Sequence, residues 1–146
     1  MFSASLKNNV KNLKMILDNQ SIYIFLGGIT HIILWLFYKK LKNTKTYLVV
    51  LIFTILIAIF GILNLDRESL KMKNGNAAEW TFFPLLFMIY YWILRQVFLK
   101  IYGNEPLMTG YMQSSWEQGE YRRLHMGDAI FTVLTLILPY LTILIF

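Results

Sequence analysis

Apolar residues fall into four long runs, Asn19–Tyr38, Thr46–Leu65, Trp80–Tyr102 and Ala129–Phe146, separated by short polar stretches. Three of the runs contain no charged residue, and the third in order holds only Arg95 and Lys100. A helix needs ~20 mostly apolar residues to match a ~30 Å hydrocarbon layer. The pattern therefore predicts an all-α integral membrane protein, one domain over residues 1–146, with spans at about 21–38, 46–65, 80–101 and 128–146. A soluble bundle would need a polar face on most of its helices, and these runs have none to give.

The first twenty residues follow a different pattern. Leu6, Val10, Leu13 and Leu17 recur at helical spacing, and Lys7, Lys11 and Lys14 form a stripe one residue further round. This predicts an N-terminal amphipathic interfacial helix over Ser3–Leu17, lying at the headgroup level. A basic start before an apolar run resembles a secretory signal. However, Tyr38-Lys39-Lys40-Leu41-Lys42 follows the run without a small-x-small cleavage site, so the run reads as a retained anchor.

Within the runs, small and polar residues mark the inward faces. Gly27 and Gly28 in the first run allow close helix approach, as do Ala58 and Gly61, in register with Thr54, in the second. The short connection Lys39–Lys45 favours antiparallel neighbours, so these two faces are expected to pair. His31, near mid-span, is an intramembrane polar candidate, expected to face the interior and hydrogen-bond there. Arg95 is the second, read as a snorkelling helix end or an anion-binding group. Tyr90, Tyr91 and Trp92 are expected to face other helices because their polar tips need partners. Pro84 falls early enough to bend its helix little. Pro139 lies mid-run, with Thr132, Thr135 and Thr142 able to offer hydrogen bonds around it.

The last polar stretch, Gly103–Asp128, concentrates charge and aromaticity. Ser114 and Glu117 form a capping-box spacing that predicts a short interfacial helix to about Leu124. Trp116, Glu117, Glu120, Tyr121, Arg122, Arg123 and His125 are candidates for contact with a partner or with lipid headgroups. Asp128 reads as the N-cap of the last span. Glu117, Glu120, His125 and Asp128 lack a specific metal-ligand spacing, so no metal is expected.

Composition removes several classes of chemistry. Hydrophobic residues make up 57% of the chain and charged residues 15%, and cysteine is absent. The lack of thiols excludes disulfides, thiolate metal sites and thiol redox chemistry. The formal charge of +6 fits lysines that flank spans and touch anionic lipid, not nucleic-acid binding. No phosphate-binding loop, nucleophile elbow or zinc-protease motif occurs, so no cofactor is expected. The leading expectation is a non-enzymatic membrane protein acting through protein contacts, as an accessory subunit or an immunity-type protein against a membrane-active toxin. Its partners would be membrane lipids and a membrane protein or further copies of itself, in a bacterial cytoplasmic membrane. The alternatives are an oligomeric channel or pore-forming effector, and a lipid-modifying enzyme with an interfacial site.

Overall fold

The computed structural model describes residues 2–108 and 124–145, with the side chains of residues 2–8 and 10 outside the description. The fold is all-helical: α1 (Phe2–Leu17), α2 (Gln20–Leu36), α3 (Thr44–Ile62), α4 (Phe83–Tyr102) and α5 (Met126–Ile145). Short 3-10 turns occupy Tyr38–Lys42, Glu68–Leu70 and Ala77–Phe82.

Three helical stretches are long and apolar enough to cross a membrane: Thr44–Ile62, Ala77–Tyr102 and Met126–Ile145. The third expected run thus begins at Ala77 and covers 26 residues, because the 3-10 turn leads straight into α4. α2 is shorter than its run, at 17 residues, because the chain tightens into a 3-10 turn at Tyr38. It reaches span length only together with Lys11–Leu17, from which it is bent by 54°.

Local chemistry sets these boundaries. Asn19 and Asn43 stand in extended conformation before α2 and α3, and their side chains accept from Ser21 N–H and Lys45 N–H. That satisfies donors a helix start leaves open. Pro84 sits in the first turn of α4, where a missing N–H does no harm. α4 ends at Gly103, whose φ of 69° suits glycine and turns the chain back. α5 runs unbroken through Pro139. Thr132, Thr135 and Thr142 return their hydroxyls to the carbonyls of Asp128, Phe131 and Leu138. None of these bonds goes to the Thr135 carbonyl that Pro139 leaves open, so the threonines satisfy themselves instead of repairing the proline site.

The bundle is joined by an inserted segment. A Cβ on Gly27 would lie 1.9 Å from the Trp80 carbonyl oxygen, and one on Gly61 1.8 Å from Thr81 Oγ1. The glycine faces of α2 and α3 therefore do not pair with each other. Both receive Ala77–Phe82, whose Ala77, Ala78 and Thr81 are completely buried. Asn76 caps that turn through Ala78 N–H and donates to the Leu65 carbonyl. At the same end, Asp18 accepts from Arg67 at 2.9 Å and from Ser69 at 3.0 Å, tying the α1–α2 junction to the α3–α4 connection.

Candidate functional site

Only four of the 19 residues of α3 are buried: Thr54, Ile57, Ala58 and Gly61. The inward surface of the bundle is correspondingly small, and its polar groups can be followed one at a time. His31 is 1% exposed. The rings of Phe87, Tyr140 and Phe83 stand edge-on around it at 5.1, 5.4 and 6.2 Å. Its Nδ1 lies 3.5 Å from the Phe83 carbonyl oxygen, at the outer limit of a hydrogen bond, and Nε2 has no partner among the described residues. The Tyr91 hydroxyl and the Trp35 indole N–H are buried without partners as well.

Arg95 is engaged by a residue the sequence did not single out. Its Nε and Nη2 donate to the two carboxylate oxygens of Glu105, the first at 2.8 Å. A two-point guanidinium–carboxylate pair is strong and directional. The Arg95 hydrogen bond holds the Glu105 carboxyl below its ordinary range, against the raising effect of partial burial. The signal for this pair was Gly103, where a left-handed turn sends the chain back along α4 towards Arg95.

Asp128 makes a second clamp at the same end. The sequence placed it at the N-cap, but α5 begins two residues earlier, at Met126. Asp128 instead stands at the third helical position, completely buried. One carboxylate oxygen accepts from Leu107 N–H at 2.9 Å and the other from His125 N–H at 3.1 Å. The second bond is the reach-back half of a capping box. His125 supplies the other half, accepting from Gly127 N–H through Nδ1 at 3.1 Å. Its ring stacks on Phe98, with centroids 5.5 Å apart. His125 thus caps α5 and packs on Phe98, and Asp128 carries its carboxylate into the first turn of a membrane-length helix.

The remaining candidates divide. Gly27 and Gly61 meet the 3-10 insert and Ala58 is buried, whereas a Cβ on Gly28 would meet nothing within 4 Å. Among the described residues, Gly28 has no close neighbour. Tyr90 donates to or accepts from Thr142 Oγ1 at 2.6 Å, and Tyr91 is buried, but Trp92 is half exposed. Three consecutive helical residues point ~100° apart, so one of the three had to turn outward. Trp116, Glu117, Glu120, Tyr121, Arg122 and Arg123, with the expected loop helix, lie outside the described residues. Among the described residues, no group of three or more metal-ligating side chains comes together.

No protein-family model, curated protein or solved structure matches this chain.

Proposed function

We propose that this chain is a four-span membrane protein that acts through protein contacts, as an accessory subunit or an immunity-type protein in a bacterial cytoplasmic membrane. In this reading α2 completes the set of spans and α1 lies at the headgroup level, with Lys11, Lys14, Leu13 and Ile16 all exposed. The observation that carries the reading is the engagement of the groups that transport or catalysis would need. His31 is enclosed by rings, Arg95 is paired with Glu105, and Asp128 holds two backbone donors. A pathway for ions needs such groups facing an aqueous lumen, and here Arg95 and Asp128 hold chain segments while rings enclose His31.

The two carboxylate clamps also fix where the 103–125 connection leaves and rejoins the bundle. A connection anchored at both ends is a suitable platform for recognition, and its Trp116, Tyr121, Arg122 and Arg123 are side chains of the kind that anchor binding surfaces. Affinity purification of the tagged full chain from native membranes tests this. The expected result is a stoichiometric membrane-protein partner, retained by the parent and lost when Trp116 and Tyr121 are both replaced by alanine. A homo-oligomer alone that conducts ions in liposomes would contradict it and favour the channel alternative. Turnover of a bound lipid would favour the enzyme alternative.

A further inference from the structure

At the end of the bundle opposite the clamps, a half-open cleft of about 520 Å³ is lined by Asn74, Gly75, Glu79, Trp80, Phe83 and Tyr140, with Ile143 and Leu144 along its outer edge. Among the described residues, no Lys, Arg or His lines it. The Glu79 carboxylate makes no ion pair and no side-chain hydrogen bond among the described residues. It sits against Gly75, where a Cβ would come within 2.8 Å of Oε2 and where φ is +94°, so a side chain there would close the approach to the carboxylate. Trp80 and Phe83 meet edge to face at 5.1 Å, and Phe83 and Tyr140 at 4.3 Å. The cleft therefore combines a carboxylate that has no side-chain partner among the described residues with three aromatic side chains in successive contact.

That chemistry selects an ammonium cation. Aromatic faces attract ammonium groups through the ring quadrupole, and several rings together form the usual receptor for quaternary ammonium. The carboxylate adds a full opposite charge at the mouth. The outer edge is apolar, with Leu144 84% exposed at the end of a membrane-length helix. A hydrocarbon chain can lie along that edge while its head enters the cleft. We propose that this cleft binds the ammonium head of an amphiphile, either an aminophospholipid of the surrounding bilayer or a cationic single-chain amphiphile. The assignment is independent of the partner-binding reading.

The test uses the purified, delipidated full chain titrated with phosphatidylethanolamine, phosphatidylcholine and phosphatidylglycerol of identical acyl chains, with bound lipid counted by native mass spectrometry. The two ammonium lipids are expected to bind about tenfold more tightly than phosphatidylglycerol, the order that the Glu79 charge, which holds the ammonium against the rings, and the cation–π contacts provide together. Glu79→Gln is expected to bring them to the phosphatidylglycerol level while helical content and elution volume stay at the parental values. Tyr140→Leu should reduce the preference severalfold. Dodecyltrimethylammonium should displace the lipid, and tetramethylammonium at the same concentration should not. Equal binding of all three lipids, or an unchanged preference in Glu79→Gln, would overturn the proposal. Displacement by tetramethylammonium as strong as by the chain-bearing cation would overturn the amphiphile assignment. Displacement by a lysine-rich peptide where dodecyltrimethylammonium fails would assign the cleft to a polypeptide and overturn it as well.

Discussion

The two ends of the bundle are held by opposite means. At the end where α2 begins and α3 finishes, close packing holds the chain, with Gly27 admitting the Trp80 backbone and Gly61 admitting the Thr81 side chain and the Ala78 carbonyl. At the other end, carboxylates hold the chain, with Glu105 gripping Arg95 and Asp128 gripping Leu107 N–H and His125 N–H. The glycine contacts at the first end depend on shape and should respond to added volume, and only the partly exposed Asp18–Arg67 pair beside them should respond to acid. The second depends on charge and hydrogen bonding and should respond to lost acceptors and to acid. In an apolar solvent neither end gains from hydrophobic association between helices, so close packing and hydrogen bonds must supply the specificity.

Substitutions at the two ends separate these means. Gly27→Val should have the largest effect, because the clash is with the Trp80 carbonyl, which belongs to a buried turn and cannot swing aside. The expected loss is more than about 3 kcal/mol, read as collapse of the thermal transition in detergent. A folded Gly27→Val chain with parental stability would break the packing half of the comparison. Asp128→Ala should cost about 2–3 kcal/mol, since it leaves the buried Leu107 N–H and the His125 N–H without their acceptor. Asp128→Asn keeps part of that acceptor and should fall between the two.

Glu105→Gln is expected to cost about 1 kcal/mol at neutral pH, as for a partly exposed ion pair of good geometry. The sign of its pH dependence follows from the lowered folded-state carboxyl. The pair contributes fully above the unfolded-state value of ~4.3, and its contribution is lost as pH falls through the lower folded value. Acid titration of stability should therefore draw the parent and Glu105→Gln together progressively, starting near pH ~4.3 and finishing below the lower folded value. Curves that stay parallel throughout would show that the carboxylate charge contributes nothing. The smallest effect is expected at Gly28→Ala, where the space is open and the helix gains about 0.5–1 kcal/mol of propensity. A loss at that position would place an unseen neighbour on it.

The sequence made the helices legible because apolar runs of this length have few other uses, and it marked Gly27 and Gly61 because small residues are rare without a packing reason. It did not reveal what packs on them. The insert at Ala77–Phe82 belongs to the start of an apolar run, and nothing in its composition separates a short buried turn from the first turn of a span. The clamp end was harder to read. Glu105 lies ten residues beyond Arg95, outside any helical spacing, and only the left-handed turn at Gly103 brings it back. Asp128 was recognised as a helix-start residue, but its position within the first turn depends on where the preceding chain leaves Leu107, which local pattern does not encode.

Three membrane-length stretches already join the two ends, and the four-span proposal further requires the 17-residue α2 to cross. The chain contains no cysteine, so single cysteines report without background. Asn12, Lys40, Asn74 and Asn104 are all exposed and sample both ends. Each is replaced by cysteine in turn and labelled with a membrane-impermeant maleimide, first in sealed vesicles and then after permeabilisation. The account predicts that Asn12 and Asn74 react from one face and Lys40 and Asn104 from the other. Reaction of Asn12 and Lys40 from the same face would show that α2 does not cross, and it would contradict the four-span arrangement outright.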